Sequence, residues 1–148
     1  MYKLISTGLG IGYIKGGGTI ASVFCCVFLY YTRACGINVP WVSILIALAI
    51  LVTGVYSADK VEPYWGKDNY RIVIDEIAGM YITMMFIPLS VSTLIVGFIF
   101  FRLFDILKPF YIRKLEKLPG GVGVMMDDVL AGFYSNLVLQ VAIFVSLL

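Results

Sequence analysis

Four long stretches of this 148-residue chain contain no charged residue, and they constrain its fold more than any other feature. They cover residues 16–32, 34–58, 77–101 and 129–148. A helix needs about 20 predominantly apolar residues to cross the hydrocarbon core of a bilayer. Only 14% of the chain is charged, whereas soluble domains average about 25%. The sequence therefore predicts an all-α membrane protein that forms a single membrane-embedded domain over residues 1–148.

The third stretch decides how many helices the bundle contains. Pro88, Ser90 and Ser92 interrupt it, so it forms either one kinked span or two shorter helices joined by a turn. A 16-residue helix is about 24 Å long, and local thinning of the bilayer absorbs part of its mismatch with a core of about 30 Å. We favour two helices. The predicted bundle then has five short transmembrane helices, at 19–32, 41–58, 71–87, 91–107 and 127–147.

The charged residues predict the orientation of this bundle. With five spans, the N-terminus and two of the loops lie on one face, which carries ten of the eleven lysine and arginine residues. Only Arg33 lies on the opposite face. The positive-inside rule makes the ten-residue face cytoplasmic. We therefore expect the glycine-rich N-terminal loop to face the cytoplasm.

Turn-forming residues separate the predicted helices. Gly36, Asn38 and Pro40 break the chain between the first two helices. Pro63 is expected to end the second helix, because the residue before a proline disfavours the helical region. Pro119-Gly120-Gly121 places a loop before the last helix.

The residues that are absent or few exclude several kinds of function. The chain has no histidine, which excludes Ser-His-Asp triads, Cys-His pairs and histidine-ligated metals. Its three cysteines show no metal-binding spacing. The net charge of +2 is too small to indicate a nucleic-acid partner. Any catalysis must use carboxylates, hydroxyls, lysine, arginine or a metal held by oxygen atoms.

All nine acidic residues also lie on the predicted cytoplasmic face. Asp59 and Glu62 are three residues apart on one side of the second helix, near its end. Asp127 and Asp128 are predicted to open the last helix, where acids also stabilise the helix dipole without any ligand. Several carboxylates at one depth repel each other unless cations neutralise them. Oxygen ligands without histidine or cysteine suit Mg²⁺, Mn²⁺ or Ca²⁺.

Asp75 and Glu76 are the hardest acids to explain by structure alone, because they are embedded in apolar sequence. Charge within a membrane span is costly and is functional by default. Asp105 leaves two interpretations open. It either forms a local ion pair with Arg102 or Lys108, each three residues away, or it joins the other carboxylates.

A glycine-rich segment at residues 8–19 leads directly into the first predicted helix. Glycine lets backbone N–H groups approach a ligand closely, and a helix N-terminus attracts anions. Thr19 is placed either to cap that helix or to contact a phosphate. The segment lacks the Gly-Lys-Ser/Thr ending of a Walker A loop, and a flexible interfacial loop is the alternative.

Carboxylates, a hard cation and basic groups together are typical of phosphoryl transfer.

Four segments together resemble the phosphatidylglycerophosphatase A family. They lie in order over nearly the whole chain, at residues 8–19, 72–79, FRLFDILKP at 101–109 and GVGVMMDDVLAG at 121–132. The family usually has proline where this chain has Gly17, which predicts a looser loop. The resemblance implies a Mg²⁺-dependent phosphatase of the bacterial cytoplasmic membrane. Such an enzyme converts phosphatidylglycerophosphate to phosphatidylglycerol in phospholipid biosynthesis, with its active site facing the cytoplasm.

We assign the predicted site residues on this basis. The catalytic residues are Asp75, Glu76, Asp105 and Asp127. The Mg²⁺ ligands are Asp59, Glu62, Asp75, Glu76, Asp127 and Asp128. The phosphate-binding residues are Lys60, Arg102, Lys108, Gly17, Gly18 and Thr19. The expected partners are the phospholipid substrate and membrane lipid, and direct attack by water is preferred over an aspartyl-phosphate intermediate.

Two other functions fit part of the pattern. A small ion transporter or channel subunit would use the carboxylates to bind cations, since intramembrane acids also mark ion pathways. Such a protein is expected to hold its acids near the middle of the spans, whereas these acids lie at span ends. A purely structural membrane protein would explain the hydrophobicity but not nine acids on one face.

Overall fold

A computed structural model describes residues 1–36 and 39–145. In these two ranges every regular element is a helix and there is no β-strand, which confirms the predicted all-α class. A 3-10 helix, Ile11–Tyr13, lies between the first two α-helices. The α-helices are α1 (Tyr2–Ser6), α2 (Gly17–Ala34), α3 (Pro40–Trp65), α4 (Ile74–Thr83), α5 (Val91–Leu107), α6 (Ile112–Leu115) and α7 (Gly120–Phe144).

Helix α7 occupies the centre of the structure and packs against α3, α4, α5 and α6. Helix α2 covers the other side of α4, and α1 packs on α3. Buried Met80, Phe101 and Leu139 join α4, α5 and α7 in one apolar core. This arrangement brings the acid-bearing parts of α4, α5 and α7 to one region.

Two glycines let α4 and α7 pack backbone against backbone. A Cβ on Gly132 would clash with the carbonyl oxygen of Gly79, and a Cβ on Gly79 would clash with Asp128 and Phe101. One turn further along, Nδ2 of Asn136 donates to the carbonyl oxygen of Thr83 at 2.9 Å. The contacts therefore recur every four residues along both helices, so α4 and α7 run side by side in the same direction.

Helix α4 is shorter than the predicted 71–87 at both ends. Before it begins, the Val73 N–H donates to the Ser6 carbonyl at 2.8 Å, which ties the chain to α1. At its end, Nδ2 of Asn136 also donates to the carbonyls of Ile82 and Met85. These bonds satisfy carbonyl groups that a helix end leaves free, so the helix stops at Thr83.

The turn between α4 and α5 lies at residues 84–86, before the expected Pro88-Leu89-Ser90, and α5 covers the predicted range. Ser90 is its N-cap, and Ser90 and Thr93 bond to each other's backbone N–H groups in a capping box. A capping box satisfies two N–H groups that have no acceptor within the helix. The split of the third uncharged stretch into two helices is therefore confirmed.

Two further predicted helix boundaries are wrong. Pro63 does not end the second helix, because α3 continues to Trp65. A proline in the last turn removes only the hydrogen bond to the carbonyl four residues earlier. The last helix begins at Gly120 instead of residue 127. Its glycines are held there because the Gly121 N–H donates to the Asp59 carboxylate.

This earlier start changes where two acids lie on the last helix. Asp127 and Asp128 are in the third turn of α7, so neither caps its N-terminus. Two residues used in the sequence predictions, Asn38 in the first turn and Leu147 at the end of the last helix, lie outside the described ranges.

In the described ranges, α3 and α7 are the helices long and apolar enough to cross a membrane. At 1.5 Å per residue they are about 39 Å and 38 Å long, which exceeds a hydrocarbon core of about 30 Å. Only 17% of the most apolar part of α3 is buried, against 56% for α7. Helix α3 thus presents apolar side chains outward, whereas α7 is a core helix. The five-span arrangement and the orientation of the loops stay predictions.

Candidate active site

Three carboxylates from α4 and α7 converge at one point, which we call the carboxylate centre. Asp75, Glu76 and Asp128 each offer an oxygen atom, and these atoms lie within 4.8 Å of one another. Asp75 is 7% exposed and Asp128 4% exposed. The parallel packing of α4 on α7 accounts for the convergence, because Asp75 and Asp128 each lie one turn before the glycine at the helix contact.

Glu76 shows that the carboxylate centre fits a cation. Its Oε2 atom is buried and has no hydrogen-bond partner among the described residues. Its Oε1 atom lies against Gly18, where a Cβ would clash with it. Buried charges are costly unless they are paired or coordinate a metal. A set of carboxylate oxygens without nitrogen or sulfur suits a hard divalent cation such as Mg²⁺, Mn²⁺ or Ca²⁺.

Arg102 and Asp105, on α5, lie at the edge of the carboxylate centre. Nη1 of Arg102 is 2.6 Å from Oδ2 of Asp105, so the local ion pair is formed. The Asp105 carboxyl also faces Asp128 and Glu76. The two interpretations of Asp105 are therefore compatible, since it pairs with Arg102 and also lies beside the other carboxylates.

Asp127 is held by Lys108. Oδ2 of Asp127 accepts a hydrogen bond from Nζ of Lys108 at 2.8 Å, and Oδ1 accepts one from the Asp128 N–H at 3.0 Å. Nζ of Lys108 is also 3.5 Å from Oε2 of Glu116. Asp127 is thus a neighbour of the carboxylate centre whose charge is neutralised by lysine.

The backbone of Lys108 adopts an unusual conformation where α5 ends. Its φ of 44° is in the left-handed region, where helix ends usually have glycine. Burial lowers the pKa of Lys108, but the hydrogen bond and charge of Asp127, with the charges of Glu116 and Asp68, raise it well above its ordinary value. Lys108 therefore carries its positive charge next to Asp127.

The glycine-rich segment reaches the carboxylate centre through the first turn of α2. Gly18 contacts Glu76, and the Gly17 N–H donates to the Ile14 carbonyl at 3.0 Å. The N–H groups of Gly18 and Thr19 lie in the turn where a helix has donors without internal acceptors. Gly16 is the N-cap and Thr19 lies inside the helix, so of the two alternatives for Thr19 the capping role is wrong and the phosphate contact stays a prediction.

Three predicted site residues on α3 lie apart from the carboxylate centre. Asp59 accepts the Gly121 N–H at the start of α7, and seven residues of helix place Gly121 about 10 Å from Asp128. Glu62 is one turn further along α3, near Gly120. Lys60 is exposed, with its Nζ 5.6 Å from the centre of the Tyr56 ring. The structure thus separates these three residues from the others predicted for the site.

Sequence reasoning missed three residues that shape the site. Gly79 and Gly132 allow the close contact of α4 and α7, and Glu116 shares Lys108 with Asp127. Each glycine follows an acid, Asp75 or Asp128, by four residues. This matched spacing was the available signal. No comparable signal marks Glu116, which lies in a loop after α6.

The chain matches proteins of known family along nearly its whole length. A family model described as phosphatidylglycerophosphatase A matches residues 4–143. A Haemophilus influenzae protein named phosphatidylglycerophosphatase A is 38% identical, with 91% of this chain and 84% of the relative aligned. The Escherichia coli protein of the same name is 34% identical, over 90% and 78% of the two chains.

A further relative has a different name. A Bacteroides thetaiotaomicron protein named "Putative phosphatidylinositol-3-phosphatase" is 40% identical over 94% of this chain and 91% of its own length. No solved structure matches. The chain belongs to the phosphatidylglycerophosphatase A family, and it is therefore a phosphatase, a hydrolase of phosphoric monoesters.

Proposed function

We propose that this family member hydrolyses phosphatidylglycerophosphate to phosphatidylglycerol and inorganic phosphate in phospholipid biosynthesis, and that it requires Mg²⁺. The observation that carries the proposal is the buried oxygen of Glu76 inside a group of three carboxylates, which has no hydrogen-bond partner over residues 1–36 and 39–145. Two cationic side chains, Arg102 and Lys108, flank that group. The names of two relatives support the choice of substrate.

Asp75, Glu76 and Asp128 are the residues proposed to hold the Mg²⁺ ion. When bound, such an ion neutralises charge on the phosphoryl oxygens and increases the acidity of a water molecule. Asp127 is assigned a supporting role, because both of its oxygens are engaged by Lys108 and by the Asp128 N–H. Asp59 and Glu62 are left out of the ligand set, since Asp59 binds the start of α7.

The other side chains bind the phosphate and prepare the attacking water. Arg102 and Lys108 contact the phosphate oxygens, together with the free N–H groups in the first turn of α2. Asp105 uses Oδ2 for Arg102, and its Oδ1 accepts the proton of the water. The water oxygen bonds to phosphorus while the bond to the glycerol oxygen breaks. The leaving oxygen takes a proton from bulk water, and Asp105 returns to bulk water the proton that it accepted.

The substrate is proposed to stay in the bilayer during the reaction. A phospholipid has apolar tails that remain in the hydrocarbon region, and α3 presents apolar side chains on its outer surface. The phosphate then reaches the carboxylate centre from the cytoplasmic face of a bacterial cytoplasmic membrane, as the distribution of lysine and arginine predicts. Membership in a phosphatase family favours this function over ion transport.

A phosphate-release panel tests the proposal. Purified protein in detergent is given phosphatidylglycerophosphate, phosphatidylinositol 3-phosphate, phosphatidic acid or soluble glycerol 3-phosphate, each with Mg²⁺ or with EDTA. We expect release that is fastest from phosphatidylglycerophosphate and that stops in EDTA. Faster release from phosphatidylinositol 3-phosphate, or full activity in EDTA, would contradict the substrate or the metal requirement respectively.

A further inference from the structure

A second charged cleft lies beside the carboxylate centre, and the proposed reaction does not use it. We call it the basic cleft. Its volume is about 560 Å³. Five charged side chains line it: Lys67, Asp68, Arg113, Glu116 and Lys117. Three cations thus face two carboxylates, which leaves an excess of positive charge.

Two of the three cations of the basic cleft, Lys67 and Arg113, are held by backbone carbonyls. Nζ of Lys67 donates to the Leu118 carbonyl at 2.9 Å, and Nη2 of Arg113 donates to the Leu107 carbonyl at 3.5 Å. Over residues 1–36 and 39–145, neither side chain forms an ion pair with an acid. Cations positioned in this way are suited to a small anion with several oxygen atoms, such as phosphate.

Lys108 links the basic cleft to Asp127, the residue next to Asp128 of the carboxylate centre. Glu116 lines the cleft and lies 3.5 Å from Nζ of Lys108, and the same Nζ donates to Asp127 at 2.8 Å. The charge of the Asp68 carboxylate, which lines the cleft, also helps to raise the pKa of Lys108. Lys108 therefore lies between the basic cleft and Asp127, the neighbour of the carboxylate centre.

We propose that the basic cleft binds a phosphate group next to the carboxylate centre, with Arg113 and Lys67 as its main contacts. The inference rests on the proposed function, because it is the hydrolysis that brings phosphate to this place. The group has two possible sources. It is either the inorganic phosphate that leaves after hydrolysis or the phosphodiester of the lipid headgroup.

Direct binding of inorganic phosphate tests the cleft apart from catalysis. The full chain in detergent with EDTA is titrated with phosphate and followed by ³¹P NMR line broadening. Without a cation the carboxylate centre repels phosphate, so binding reports the cleft. We expect Arg113→Gln and Lys67→Gln each to weaken binding about tenfold, as expected for the loss of one charged hydrogen bond.

Lys114→Gln is the matched control. Lys114 is the neighbour of Arg113 on α6, but its Nζ lies over the Tyr111 ring, 4.4 Å from its centre. Its substitution removes the same charge and should leave phosphate binding unchanged. Equal binding by wild type and Arg113→Gln overturns the proposal, and so does an equal loss in Lys114→Gln, which would indicate a general charge effect. Absence of turnover would instead contradict the proposed function, since this titration needs no reaction.

Steady-state kinetics with Mg²⁺ separates the two sources. If the cleft receives the leaving phosphate, Arg113→Gln raises the inhibition constant of inorganic phosphate and leaves KM for the lipid unchanged. If the cleft holds the headgroup phosphodiester, the same variant raises KM for the lipid while kcat is retained. Either result supports phosphate binding in the cleft. The proposal is overturned if Arg113→Gln changes neither the inhibition constant of inorganic phosphate nor KM for the lipid.

Discussion

Two acidic pairs on neighbouring helices each consist of an aspartate and a glutamate but have different surroundings. Asp59 and Glu62 lie near the end of α3, and Asp75 and Glu76 lie in the first turn of α4. Asp59 is exposed and accepts a backbone N–H from the start of α7. Asp75 is buried, and Glu76 keeps an oxygen without a partner in the described structure. The comparison shows that an acid is a candidate cation ligand only when the fold leaves its charge unsatisfied.

Asp75→Asn should have the greatest effect on activity. The variant removes one charge from the carboxylate centre, and losing several kcal/mol of transition-state stabilisation lowers the rate about a thousandfold. Phosphate release in detergent measures this, and an unchanged unfolding temperature shows that the variant is folded. Asp59→Asn is the control and should keep wild-type turnover. Comparable losses in both variants would remove the distinction between the two pairs.

Gly132→Ala should separate α4 from α7. The added methyl group clashes with the Gly79 carbonyl, and overpacking of this kind costs about 1–3 kcal/mol. We expect a lower unfolding temperature and weak phosphate release, because Asp128 moves away from Asp75. Gly36→Ala is the control for turnover. Nothing lies within 4 Å of its added carbon, but its φ of 79° strains a side chain, so it should lower stability without lowering phosphate release. A fully active Gly132→Ala protein would show that the close helix contact does not position the carboxylates.

Lys108→Gln should lower phosphate release about tenfold. Glutamine keeps a hydrogen-bond donor near Asp127 but loses the positive charge, and a charged hydrogen bond is worth about 1.5–3 kcal/mol. Lys60→Gln removes the same charge from α3, where Lys60 is exposed over Tyr56. It should leave release unchanged in the same assay. The prediction fails if the two lysines have equal effects.

Asp59→Ala should change stability without changing turnover. It removes the acceptor for the Gly121 N–H at the start of α7, and loss of such a cap costs about 1 kcal/mol. Chemical denaturation in detergent micelles measures the free energy of unfolding. A variant as stable as wild type, or one that no longer releases phosphate, would show that Asp59 has a different role.

The sequence predicts helix boundaries well where the signals are local. Helix α5 covers the predicted residues because Ser90 caps its start and the Lys108-Pro109 pair follows its end. The start of α7 depends on Asp59, which is distant in sequence. The end of α4 depends on Asn136, more than fifty residues later. Such long-range hydrogen bonds leave no pattern in the local sequence.

The site also has one part that the local sequence predicts and one part that depends on long-range packing. The residue types predict oxygen ligands, and Asp75, Glu76 and Asp128 were among the six proposed. Which of the six converge depends on the direction and spacing of α4 and α7, which Gly79 and Gly132 determine. Because the last helix was predicted to begin at residue 127, the prediction did not include the contact between the start of α7 and Asp59. The topology alone puts all the acids on one face and cannot separate them.

Binding of Mn²⁺ in place of Mg²⁺ most directly tests whether Asp75, Glu76 and Asp128 form a cation site. Electron paramagnetic resonance counts the free ion during titration of wild type, Glu76→Gln and Asp59→Asn in detergent. We predict one Mn²⁺ per wild-type chain, the same binding by Asp59→Asn and a loss of binding by Glu76→Gln. Unchanged binding by Glu76→Gln, or a loss confined to Asp59→Asn, would contradict the account.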